Sequence, residues 1–193
     1  MKHPKSYLLS IMLILAPVRL LGLSLVVEID LALASKEIAY NIAKAANFIP
    51  AAKADRLVLL KLQQIDPDFQ NMIVEDLRNF LSFRTARYSF VYDKCVIHNN
   101  QAVLVPHNQE ELLKLHRDTE AFIYAQPWYQ KVRLNTVDEG HPYMPKVVLL
   151  HRQLPSPQEL ATINEALKKL IAEDKDGVLE AQFADVSFHF SEP

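Results

Sequence analysis

Tyr7 to Ala34 reads YLLSIMLILAPVRLLGLSLVVEIDLALA. How that stretch is read decides where the folded domain starts and which compartment it works in. Lys2, His3 and Lys5 precede it, Ser6 to Val18 is almost purely apolar, and Ala32-Leu33-Ala34 stands before Ser35. A positive start, an apolar run and a small-x-small exit are the three parts of a secretory signal. Cleavage after Ala34 then divides the chain into a leader, residues 1–34, and a single domain, residues 35–193. Arg19 interrupts the run, and Glu28 and Asp30 stand close to that cut.

A second reading keeps the stretch as an anchor. Tyr7 to Val27 counts 21 residues, and about 20 apolar residues span a bilayer. Arg19 would then sit in hydrocarbon at a cost of about 2.5–3.5 kcal/mol. Lys2 and Lys5 would hold the N-terminus in the cytoplasm, so the bulk of the chain is exported either way. A third reading, a core helix, conflicts with Pro17-Val18-Arg19 in mid-run.

Beyond residue 34 the composition is that of a globular domain. The whole chain is 50% hydrophobic and 23% charged, too apolar for disorder. Lys2, Lys5, Arg19, Glu28 and Asp30 fall in the leader, which leaves 18 basic and 21 acidic residues. That balance argues against a nucleic-acid or anionic-membrane surface. The single cysteine, Cys95, excludes an internal disulfide. With only three glycines, Gly22, Gly140 and Gly177, phosphate loops and dinucleotide fingerprints are excluded as well.

The order of elements predicts an α+β fold with a helical first half. Ser35 to Phe48 has helical spacing at Ile38, Ile42 and Ala45, and Ala54-Asp55 opens a second helical run through Leu57, Leu60 and Ile65. Asp66-Pro67-Asp68 restarts a helix, with Asp66 as cap and Pro67 at the first helical position. Its stripe is Phe69, Ile73, Leu77, Phe80 and Leu81. Arg87 to Tyr92 reads as a strand and Asp93-Lys94 as a turn. Two further short strands, Cys95 to Ile97 and Ala102 to Val105, flank His98-Asn99-Asn100-Gln101, which could close a hairpin. Asn108 and Glu111 have capping-box spacing. The C-terminal unit is a β-α-β: Lys146 to Leu150, a helix opened by the Ser156-Pro157-Gln158-Glu159 box, and a strand from Val178 to Phe190. Its sheet is mixed or antiparallel, and no internal repeat is evident.

Four groups of residues carry candidate chemistry. Cys95 and His98 are three apart, as a nucleophile and its base could be, but a lone strand cysteine is ordinarily inert packing. His107, Glu110, Glu111 and His116 gather at one helix start without the paired spacing of a zinc site, so no metal is expected. Asp138, Glu139, His141 and Tyr143 form the densest polar loop, able in principle to transfer protons, yet Asp, Gly and Pro are turn residues first. Tyr124, Trp128 and Tyr129 are aromatics in a proline-broken segment, which suits a recognition surface or plain core filling. The serine-hydrolase signatures are absent.

These observations predict an exported accessory or binding protein of the cell envelope that acts on a protein or a small ligand. It is expected to carry no cofactor and no catalytic residue, and to be tethered through residues 7–27 if the leader is retained. The alternatives are a single-span subunit of a membrane complex, or a hydrolase-like or metal-dependent enzyme using the His141 loop or the His107 region.

Overall fold

A computed structural model describes residues 22–135, 143–150 and 155–191. Seven strands and four α-helices lie among them, in the order β1 (Leu23–Leu31), α1 (Ala34–Ala45), β2 (Arg56–Ile65), α2 (Gln70–Thr85), β3 (Ser89–His98), β4 (Gln101–Pro106), α3 (Gln109–Tyr124), β5 (Arg133–Asn135), β6 (Val147–Leu150), α4 (Pro157–Glu173) and β7 (Glu180–Ser191). The α+β reading holds, and each strand pairing among the described residues is antiparallel.

Two parts of the chain differ from their sequence reading. The first is Leu23–Leu31, assigned above to the leader, which is a strand with neighbours on both sides. From Leu23 onward the pattern alternates: Leu25, Val27 and Ile29 are fully buried, while Val26, Glu28 and Asp30 point the other way. Period two is the strand signal, and the apolar run upstream masks it. The second is Arg56–Ile65, read above as helix. RLVLLKLQQI fits either period over its length, and pairing with β1 on one edge and β5 and β6 on the other settles it as a strand. The first half is therefore mixed rather than helical.

Other local readings stand with adjustments. Asp93 is a bulge within one continuous strand, β3, rather than a turn. His98 pairs with Gln101 across a two-residue turn in which Asn99 and Asn100 have φ of 47° and 58°, the left-handed geometry that asparagine tolerates. The Ser156–Glu159 capping box is complete, with both reciprocal bonds formed.

The pairings close on themselves. In ring order, β1, β7, β3, β4, β6 and β2 make a six-stranded barrel, because β1 also pairs with β2. The short β5 extends the β6 edge of β2. A ring this small has room inside for side chains only, so the helices lie outside. Their stripes, including Ile42, Ile73, Leu77, Leu115, Ile163 and Leu167, share one apolar core with alternate strand residues such as Leu25, Val27, Leu60, Phe90 and Leu104.

The barrel is also a duplication, which the sequence reading missed. The unit β1-α1-β2-α2-β3 repeats as β4-α3-β6-α4-β7. The pairings also repeat: β1–β2 within the first unit matches β4–β6 within the second, and β7–β1 between the units matches β3–β4. The register agrees residue by residue. The β1–β2 ladder shifts between Val27 and Glu28, and the β4–β6 ladder shifts between Ala102 and Val103, 75 residues on. In α2, Ile73 and Leu77 are buried, as are Ile163 and Leu167 in α4, 90 residues on. Helix packing repeats as well: α1 lies on α4 as α3 lies on α2, and α2 covers β7 as α4 covers β3.

Candidate functional site

Tyr124, Trp128 and Tyr129 do not form one exposed surface. Trp128 is 2% exposed, and its indole N–H donates to Asp76 Oδ2 at 2.8 Å. It is therefore a core side chain that ties the segment after α3 to α2. Tyr129 is half-buried and meets Tyr124 edge to face at 4.8 Å. Only Tyr124 is exposed; burial beside Glu120 and Tyr129 raises its phenol above the ordinary value.

The other predicted groups are dispersed. Cys95 is buried, and burial pushes its thiol up to about 12, which removes it as a nucleophile. Asn164 of α4 grips the Cys95 backbone from both sides, accepting from its N–H at 2.8 Å and donating to its carbonyl at 3.0 Å. His107, Glu110 and Glu111 are exposed, whereas His116, further along α3, is buried. Asn108 does not cap α3; its amide turns to β3, accepting from Val91 N–H and donating to Ser89 carbonyl. Asp138, Glu139 and His141 lie outside the described residues. No group of three or more His, Cys, Asp or Glu among the described residues is placed to hold a metal ion.

Tyr143 and His116, from two different predicted groups, do come together. Their rings stack at 3.8 Å and 15°. The His116 Nδ1–H donates to the Leu59 carbonyl at 2.8 Å, its Nε2 lies 3.3 Å from Glu120 Oε1 one turn on, and the Tyr143 hydroxyl donates to the Val58 carbonyl at 3.1 Å. Burial lowers the imidazole below its ordinary value, against the pull of Glu120 and the Leu59 hydrogen bond. The pair thus fills the space between α3 and β2 and satisfies two strand carbonyls there.

In the first unit the matching strand carbonyl is met by the chain's own backbone rather than by a side chain. After α1 the chain crosses to β2 through Pro50 to Asp55, and between that crossing and α1 lies a groove of about 660 Å³ lined by Lys36, Ala39, Tyr40, Ala51, Ala54 and Asp55. Leu149 stands 90 residues after Leu59, and its carbonyl accepts from Ala51 N–H at 2.7 Å as the Leu59 carbonyl accepts from His116. Ser35, Ala39, Ile42 and Ala43 are buried on α1, as Leu112, Leu115, His116, Thr119 and Ile123 are on α3. The segment between α3 and β6 has 22 residues against 10 between α1 and β2; Tyr143 belongs to that longer segment. At the groove rim Lys36 Nζ reaches the largely buried Asp55 at 3.0 Å, and Tyr40 is about half exposed.

A second polar cluster lies on the inward face of the barrel. Glu28 is 5% exposed and accepts from Lys53 Nζ at 3.0 Å and from Arg56 Nη1 at 3.2 Å. Arg56 Nε lies 3.1 Å from Asp30 Oδ1, and the Ser187 hydroxyl donates to Asp30 Oδ2. His189 Nε2 is 3.1 Å from Glu28 Oε2 and 3.0 Å from Arg56 Nη1. With each carboxylate matched by cations, the cluster staples β1 to β2 and β7. Sequence reading missed it because Glu28 and Asp30 were assigned to the leader and their partners lie 25 to 161 positions away.

No protein-family model and no curated protein matches the chain.

Proposed function

We propose that this is an exported binding protein that takes its ligand in the groove between α1 and the Pro50–Asp55 crossing. The observation that supports this is the groove itself, about 660 Å³ between α1 and the crossing, with a paired Lys36 and Asp55 at its rim. Pockets of roughly 300–1,000 Å³ are the usual size of small-ligand sites, and this one combines Ala39, Ala51 and Ala54 with the polar Glu37, Asn41 and Asp55. Mapping of bound organic probes tests it: they should collect at Ala39, Ala51 and Ala54, and collection elsewhere with these residues unperturbed would sink the reading.

The export part of the proposal needs a shorter leader than the sequence suggests. With Leu23 onward in the sheet, the apolar stretch left for a bilayer is Tyr7 to Leu21, 15 residues. As a helix that is about 22 Å, short of the roughly 30 Å hydrocarbon core, which favours a cleaved address over a single-span tether. Gly22 and Ser24 supply the small-x-small spacing for a cut that trims two residues from β1. No helix among the described residues is long and apolar enough to cross a membrane. The intact mass of the exported protein decides this: a start at Leu25 supports the proposal, and a start at Ser35 or a retained Met1 overturns it.

A further inference from the structure

The α1 groove holds more negative than positive charge, and that imbalance points to its ligand. We infer that it binds a primary ammonium ion carrying a short apolar chain, with Asp55 as the counter-ion. The inference rests on the binding reading above and adds to it the chemical class of the ligand.

Three features carry it. The first is the lining, which holds two carboxylates, Glu37 and Asp55, against one ammonium, Lys36; one further monocation makes it neutral. The second is that Asp55 is fixed and its partner is not. The Asp55 side chain is 9% exposed and that of Lys36 59%, and an ion pair to so exposed a lysine holds weakly, while a buried carboxylate still requires a cation. The neighbouring cations are committed elsewhere. Lys53 Nζ lies 3.0 Å and Arg56 Nη1 3.2 Å from Glu28, on the inward face of the barrel, and Lys44 Nζ stands 6.0 Å from the centre of the Tyr40 ring. In the core near Asp55 stands Tyr92, 3% exposed. Burial raises its phenol above the ordinary value, with Ser35 opposing and the Asp55 charge adding, so it presents a neutral hydroxyl rather than a cation. The third feature is the wall. Pro50, Ala51 and Ala52 of the crossing are partly or fully exposed along the groove and suit a short alkyl chain, and Tyr40 offers an aromatic ring of the kind that attracts cations. An anion of the same size meets two like charges there, and a neutral alcohol gains nothing from the excess of carboxylate.

The test is a solution titration of the whole chain, labelled at its alanine methyl groups, with n-butylammonium, 1-butanol and butyrate at neutral pH and equal ionic strength. The expected result is saturable shifts of Ala39, Ala51, Ala52 and Ala54 by n-butylammonium with a dissociation constant of about 1–10 mM, the ordinary strength for so few atoms. 1-Butanol and butyrate should each bind at least about tenfold more weakly, for want of the positive charge. Asp55→Asn should weaken n-butylammonium binding by about tenfold or more, whereas Lys36→Met, which removes the competing cation, should tighten it severalfold. Because Lys36 is exposed, that variant keeps the test readable if Asp55→Asn fails to fold. Weaker n-butylammonium binding in Lys36→Met, or 1-butanol or butyrate binding as tightly as the ammonium, overturns the ammonium class while leaving the groove a binding site. Failure of all three probes to shift those methyls overturns the site, and the binding reading with it.

Discussion

Leu57 of β2 pairs directly with Val147 of β6, the residue 90 positions on that is its own counterpart in the second unit. Phe90 of β3 pairs with Ala181 of β7, again with its counterpart, now 91 positions on. A residue can pair with its own mate only on a twofold axis, so the two pairs mark where the axis of the duplicated barrel crosses the sheet. That axis relates α1 to α3 and α2 to α4, and several consequences can be measured.

Residues 1–21 should be dispensable for folding and β1 should not. A chain starting at Gly22 is expected to melt cooperatively, and one starting at Ser35 to remain unfolded. The shorter chain loses Leu25, Val27 and Ile29, all fully buried, at about 1.5–3 kcal/mol each, against a typical net stability of about 5–15 kcal/mol. Circular dichroism of the two chains checks it; a cooperative transition in the Ser35 chain would contradict the placement of β1.

Counterpart core positions should cost alike. Leu77→Ala in α2 and Leu167→Ala in α4 each remove a fully buried side chain and are expected to destabilise by about 2–5 kcal/mol. Urea unfolding of both variants would show whether their losses agree; a Leu167 variant of wild-type stability would break the equivalence.

Stability should fall on mild acidification. The His116 imidazole is held below its ordinary value of 6.5, chiefly by burial, so between its folded value and 6.5 the unfolded chain binds the extra proton. Stability is then fully present above about pH 6.5 and is lost as pH falls towards the folded value. Glu120 and the Leu59 carbonyl oppose the shift, while Arg117 adds to it. Unfolding free energies at pH 7.5 and pH 5 should differ in wild type and differ less in His116→Asn. An unchanged slope in the variant would assign the acid sensitivity elsewhere.

Removing the Glu28 carboxylate should be costly. Glu28→Gln leaves Lys53 and Arg56, both within 3.2 Å of it, with one anion fewer at a site that is 5% exposed. Breaking a buried pair by removing one partner costs about 3–5 kcal/mol; the half-exposed Lys53 places the expectation near the low end. Thermal melting measures it, and a loss below about 1 kcal/mol would show that the cluster is solvated rather than structural.

Cys95 should be silent in the folded protein. With its thiol pushed up to about 12 by burial, almost no thiolate exists at pH 8, and thiolate is the reactive form. A thiol-specific chromogenic reagent should react only after denaturant is added; prompt reaction of the native chain would place the sulfur at the surface.

The sequence by itself determined the elements whose signals are local. The Ser156–Glu159 box, the Asp66-Pro67 restart, the Asn99-Asn100 turn and the alternation of Val186, Phe188 and Phe190 each follow from a few adjacent residues, because caps and turns are satisfied within one turn of chain. Only the tertiary structure decided what depends on distant partners. Leu23–Leu31 became a strand because β2 and β7 flank it, and Arg56–Ile65 because β1 and β6 do. The duplication escaped notice because burial constrains only Ile73 against Ile163 or Leu77 against Leu167, while the exposed positions between them differ. The same holds for the site. His116 and Tyr143 were visible as candidates, but their stacking exists only once α3 and the segment before β6 both pack against β2.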